Sequence, residues 1–190
     1  VQIPISDRPG GLPARTINDV VQDHEGTIWI ATESDGLWRV DKNGPFPEQP
    51  HFEKIVISTD GTDALQRRVN ALFVDHAGTL WIATPELGLG RRVSGNNGGH
   101  GKFEYFSSDP ERPDSSSPTM VNAMAEDRFG KLWLGADEGL FIFDPTSAGF
   151  TRWTSSSFKQ GTGRVLDILR DTKDTLWVAG DGLGLFKALP

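Results

Sequence analysis

Four tryptophans set a period along the chain. Trp29, Trp81, Trp133 and Trp177 stand 52, 52 and 44 residues apart, and nearly the same text surrounds each. The copies read INDVVQDHEGTIWIATESDGLWRVD, VNALFVDHAGTLWIATPELGLGRRV, VNAMAEDRFGKLWLGADEGLFIFDP and VLDILRDTKDTLWVAGDGLGLFKAL. Six residues before each tryptophan comes an aspartate: Asp23, Asp75, Asp127 and Asp171. Three before it stands Gly26, Gly78 or Gly130, and Asp174 in the fourth copy. Gly-Leu pairs follow at 36–37, 88–89, 139–140 and 182–183. A fixed period of this length marks a repeat architecture.

Within each copy the apolar pattern has the period of a strand. The runs VVQD, TIWIAT and LWRVD are short, rich in β-branched and aromatic residues, and divided by Asp/Gly turn chemistry. Asp at the head of a turn caps backbone N–H groups, and Gly at its end accepts a positive φ. The D-x-x-G phrase therefore predicts a tight hairpin between antiparallel strands. A fourth strand is expected in HFEKIVI, KFEYF and GFTRW. Four antiparallel strands per repeat make the blade of a β-propeller.

The ends of the chain extend this count. Ile5, in VQIPIS, lies 13 residues before Asn18, as Ile57 does before Asn70 and Trp153 before Leu166. It reads as a strand of the fourth type, while the last copy stops after its third. The expected fold is all-β, a propeller of four four-stranded antiparallel blades forming one domain. The blades fall at 17–57, 69–106, 121–154 and 165–190, the last completed by a strand at 1–6. A closed four-bladed ring and four blades of a larger propeller fit this arithmetic equally.

Composition narrows the function classes. With 36% hydrophobic and 24% charged residues, the 190-residue chain has globular character. A net charge of −7 argues against a partner that offers a phosphate backbone, so no nucleic acid is expected. No apolar run approaches the length of a membrane span, and the N-terminus shows no charged-then-apolar leader. Cysteine is absent, which removes disulfide and thiolate chemistry.

The phrase V-N-A-x-x-x-D-x-x-G-x-L-W-I-A-T-x-x-x-G-L resembles the two-component regulator propeller repeat. So does the linker SSDPERPDSSSPTMVNAM, rich in Asp, Pro and Ser. The resemblance covers essentially the whole chain. It implies a sensor propeller of bacterial hybrid histidine kinases and related signalling proteins, facing the periplasm or the exterior. The fourth copy departs from the phrase, with Leu166 in place of the asparagine and Asp174 in place of the turn glycine.

Most repeated residues read as structural. The four tryptophans are expected on second strands, packed between blades. Asp23, Asp75, Asp127 and Asp171 are turn formers. Asn18, Asn70 and Asn122 open the first strands, where an amide can hold a neighbouring blade's backbone. His24 and His76 recur, but Arg128 and Thr172 replace them in the other copies, and metal ligands must converge. No metal or cofactor is expected. The segment 94–101, SGNNGGHG, lacks a phosphate-loop pattern and reads as a hairpin tip. Trp38 and Trp153 read as cover for outer strands.

Candidate binding residues come from topology. In a propeller, the loop entering the first strand and the loop joining strands two and three share the channel-mouth face. Here the first loop carries Arg15, Arg67, Arg68 and Arg164, and the second Glu33, Asp35, Glu86, Asp137, Glu138 and Asp181. Arginines and carboxylates around a channel mouth suit a polar ligand such as an oligosaccharide. Alternatively, these charges pair with one another and face water. No catalytic motif occurs, so no catalytic residue is assigned. The expectation is a non-enzymatic ligand-binding sensor. An interaction or self-association scaffold and a lyase-like enzyme are the other readings.

Overall fold

The computed structural model describes residues 11–14, 16–40, 50–57, 68–93, 102–107, 117–154, 163–182 and 184–188. The strand expected at 1–6 lies outside them. Each D-x-x-G phrase forms its hairpin, and the apolar runs on either side become paired strands. The first sheet holds β1 (Ile17–Gln22), β2 (Ile28–Thr32), β3 (Leu37–Val40) and β4 (Phe52–Ile55) in that order. The second holds β5 (Ala71–Val74), β6 (Leu80–Thr84), β7 (Gly88–Val93) and β8 (Lys102–Phe106). The third holds β9 (Val121–Glu126), β10 (Leu132–Ala136), β11 (Gly139–Asp144) and β12 (Gly149–Arg152). The fourth holds β13 (Val165–Arg170), β14 (Leu176–Gly180) and β15 (Gly184–Ala188). The protein is all-β, and these antiparallel meanders are four blades of a β-propeller. Among the described residues no helix is long and apolar enough to cross a membrane.

The aspartate of each hairpin has two tasks. In the first copy Asp23 Oδ1 accepts the backbone N–H of Glu25 at 3.0 Å and of Thr27 at 2.8 Å, which closes the turn. Its Oδ2 accepts the indole N–H of Trp29 at 2.8 Å. The same clasp joins Trp81 to Asp75, Trp133 to Asp127 and Trp177 to Asp171 at 2.8–2.9 Å. One carboxylate thus locks the turn and orients the largest side chain of the next strand. Gly26 closes the turn at a φ of 78°, a left-handed value that glycine adopts without a Cβ clash. Asp174 takes the same role at 62°.

A bulge re-aims one residue of the first strand. Pairing slips between Ile17 and Asp19, between Val121 and Ala123, and between Val165 and Asp167. The residues skipped are Asn18, Asn122 and Leu166, the asparagine position of the repeat. A bulge leaves its extra residue unpaired and turns its side chain out of the ladder.

The chain divides into two compact units, Val1–Ile82 with Arg91–Glu104, and Ala83–Gly90 with Tyr105–Pro190. In the first, β5 follows β1 closely: Leu72 N–H donates to Asp19 Oδ2 at 2.7 Å, and Val69 N–H to the Thr32 carbonyl at 3.0 Å. The Arg92 guanidinium covers the Trp29 ring at 4.9 Å. Leu12 packs on Ile30, Val40 and Phe52 at the opposite face of that sheet. His24 lies against the turn glycine Gly78, where an added Cβ would meet its ring at 3.1 Å.

In the second unit the core lies between the third and fourth sheets. Ala125, Trp133 and Leu140 pack against Val165, Ile168, Leu176 and Val178. Trp153 joins from the end of β12, 6.0 Å from Trp133 and stacked 6.1 Å from Phe186. The third sheet thus presents its repeat tryptophan, Trp133, to the aliphatic residues Val165 and Ile168 on the facing side of the fourth.

Candidate functional site

Each unit holds one copy of the same polar constellation. In the first, the bulged Asn18 points its amide N–H at the Val69 carbonyl, 2.9 Å away, and at Glu33, 3.1 Å away. Arg68 approaches the same Glu33 carboxylate at 3.2 Å and donates to Asn70 Oδ1 at 3.0 Å. In the second, Asn122 donates to the Val165 carbonyl at 2.9 Å and to Asp137 at 2.8 Å. Arg164 meets that Asp137 at 2.7 Å. An acid from the turn after the second strand is thus held by its own sheet's asparagine and the next sheet's arginine. The backbone repeats the pattern, since Glu33 N–H reaches the Thr16 carbonyl and Asp137 N–H that of Met120.

The remaining candidate acids differ in how firmly they are held. Glu138 accepts from the Thr119 hydroxyl, its backbone carbonyl receives Arg152, and its other carboxylate oxygen is buried without a partner. Asp35 accepts from the Ser34 hydroxyl at 2.9 Å. Asp181 uses its backbone N–H on the Arg164 carbonyl, while its exposed carboxylate has no partner among the described residues. Leu166 stands at the asparagine position of that copy and can donate nothing to it. Glu86 is exposed, and Pro85 before it carries no N–H for the backbone contact seen in the other copies. Arg15 and Arg67 lie outside the described residues.

Exposure of the two paired arginines and their acids keeps these bonds weak. Arg68 and Glu33 keep 34% and 41% of their side-chain surface, and Arg164 and Asp137 keep 50% and 43%. Ion pairs this wet contribute about 1 kcal/mol or less. A polar ligand that offered better-matched groups would exchange them at small cost. The histidines show no such convergence. Among the described residues, no three or more of His, Asp and Glu stand where they could hold a metal ion.

Sequence reasoning singled out the arginines and acids and offered their mutual pairing as one reading, but not which acid meets which arginine; Arg68–Glu33 and Arg164–Asp137 are paired. The signal was present at two junctions: Glu33 and Asp137 stand four residues after Trp29 and Trp133, and Arg68 and Arg164 two residues before the next asparagine position. Neither spacing means anything until successive first strands lie side by side.

Comparison with known proteins bears on the repeat and the fold. The sequence model of the two component regulator propeller family matches residues 11–34 and 65–86. No curated protein matches the sequence. Two solved structures are described as extracellular domains of hybrid two component systems of B. thetaiotaomicron. One, BT3049, superposes with a TM-score of 0.70 at 21% identity over 94% of this chain and 24% of its own. The other, BT4673, gives 0.68 at 21% identity over 95% of this chain and 22% of its own. A gluconolactonase from Xanthomonas campestris gives 0.62 at 16% identity, covering 96% of this chain and 59% of that one. At such identities the likeness is one of fold. The chain spans less than a quarter of the length of the two extracellular domains. It carries the two component regulator propeller repeat, in the blade fold that those extracellular domains share.

Proposed function

We propose that the chain is the non-enzymatic sensing propeller, or a part of it, of a bacterial signalling receptor that faces the periplasm or the exterior. The observation that carries this reading is the repeat itself, matched in sequence and folded like the extracellular domains of hybrid two component systems. The ligand is a polar molecule with several hydroxyl groups, such as an oligosaccharide. It is read by the turns after the second strands together with the arginines that enter the first. Arg68 and Arg164 are the donors, and the exposed carboxylates of Glu86 and Asp181 are acceptors with unspent capacity. Polar groups on a rigid sheet scaffold suit recognition because the scaffold takes up the cost of ordering them.

Isothermal titration calorimetry with a panel of oligosaccharides tests the reading. One glycan class is expected to bind, with affinity reduced tenfold or more by Arg164→Ala or Asp181→Ala. Failure of every glycan to bind a folded protein would reject the ligand assignment.

A further inference from the structure

We propose that Arg164 and Asp137 are the pair that selects the ligand, and that the group they take is two neighbouring hydroxyls of a neutral sugar. The proposal deepens the ligand reading above and rests on it.

The repeats supply the comparison. Two residues before the asparagine position stand Thr16, Arg68, Met120 and Arg164, and four residues after the tryptophan stand Glu33, Pro85, Asp137 and Asp181. An acid of one copy therefore meets an arginine of the next in two places, Glu33 with Arg68 and Asp137 with Arg164. Pro85 and Met120 hold the same two positions in the second and third copies, and neither side chain carries a charge. Acid and arginine thus occur together or not at all at these three junctions.

The two pairs differ at one neighbouring residue. Arg68 is fixed on both sides: its Nε lies 3.2 Å from Glu33, and its Nη2 donates to Asn70 Oδ1 at 3.0 Å. Arg164 has Leu166 in that second place, and an aliphatic side chain accepts nothing. Its Nε meets Asp137 Oδ1 at 2.7 Å, and its Nη groups have no partner among the described residues. The side chain of Arg164 is 50% exposed, against 34% for Arg68. The difference arises within one sheet, since Asn70 and Arg68 enter the same strand, as Leu166 and Arg164 do.

Chemistry selects the ligand group. Asp137 Oδ1 accepts from Arg164 and from Asn122, and among the described residues nothing donates to its Oδ2. The pair therefore offers planar N–H donors beside a carboxylate acceptor. Neighbouring hydroxyls of a sugar match this arrangement: one oxygen accepts from the guanidinium, and the other O–H donates to the carboxylate. A carboxylate or sulfate on the ligand would satisfy Arg164 but meet Asp137 as a like charge, which is costly. Asp181, whose backbone N–H reaches the Arg164 carbonyl, brings a further carboxylate to the same sheet. Neutral sugar units are thus favoured over uronic acids and sulfated sugars.

Calorimetry with neutral and uronic-acid oligosaccharides tests the assignment, with circular dichroism to confirm that each variant is folded. Neutral oligosaccharides should bind. Arg164→Ala should weaken them about tenfold or more, the worth of a hydrogen bond to a charged group, and Arg68→Ala distinctly less. Leu166→Asn gives Arg164 the acceptor that Arg68 already has, and should weaken binding severalfold with both charged residues intact. Arg164→Lys keeps the charge but loses the planar fork, and should not retain the affinity. Equal losses on Arg68→Ala and Arg164→Ala, full affinity in Leu166→Asn or Arg164→Lys, or preference for uronic-acid chains would each overturn this assignment and leave the ligand reading standing. Binding by no oligosaccharide at all would overturn the ligand reading itself, and this assignment with it.

Discussion

The indole N–H of Trp177 donates to Asp171 at 2.9 Å, the bond that Trp133 makes to Asp127 at the same length. Trp133 is nonetheless buried and Trp177 is not. The bond belongs to the sheet, because Asp and Trp sit in one hairpin six residues apart. Burial belongs to whatever lies on the sheet. This separation gives a first expectation. Trp133→Phe strands a buried Asp127 oxygen and should cost about 1–3 kcal/mol. Trp177→Phe should cost less, since water replaces the lost donor. Urea denaturation of the two variants makes the comparison.

The contact of the third and fourth sheets can be probed without touching a polar group. Gly135 stands where the other copies have Ala31, Ala83 and Ala179. A Cβ there would run into Val165, with Ile168 behind it. Overpacking of this kind costs about 1–3 kcal/mol. Gly135→Ala should lower the thermal midpoint, and adding Val165→Ala should restore part of the loss.

The polar constellation should divide into strong and weak members. Arg164→Ala removes an exposed ion pair and should cost about 1 kcal/mol or less. Asn122→Ala takes the donor from the carbonyl of the fully buried Val165 and should cost about 1–2 kcal/mol. Chemical denaturation of both variants checks the order. A folded Arg164→Ala protein is also the control that the binding experiment needs.

Acid should weaken the clasp in a defined direction. At Asp171 the indole of Trp177 and the Thr175 N–H hold the carboxyl below its ordinary range. At Asp23 burial pushes upward, but the hydrogen bonds from Trp29 and Thr27 outweigh it. A carboxylate lowered in the folded state stabilises fully above its unfolded value, and that contribution is lost as pH falls through the folded value. The stability difference between wild type and Asp171→Asn should be constant near neutrality. It should shrink once pH drops below the ordinary carboxylate range. A difference that grew on acidification would contradict the clasp.

Much of the fold was legible because its rules are local. D-x-x-G writes a hairpin within four residues, and alternation over five residues writes a strand, so the four strand types could be placed from text alone. The second task of Asp23 was not legible. It depends on hairpin register, which brings Trp29 Nε1 back over the residue that opens the turn. The site was visible only as residue types. Glu33 and Arg68, or Asp137 and Arg164, are far apart in sequence and meet because successive first strands run side by side. The exposure of Trp177 could not be read either, because its neighbours in the chain match those of the buried tryptophans.

The most direct measurement is fluorine NMR of the fluorotryptophan-labelled chain, assigned by single Trp→Phe variants, with a soluble paramagnetic probe. The claim under test is that identical repeat text builds identical clasps, and that only the neighbouring sheet decides burial. At high dilution the resonance of Trp177 should broaden, while those of Trp29, Trp81 and Trp133 stay sharp. Equal protection of all four at high dilution would contradict the claim.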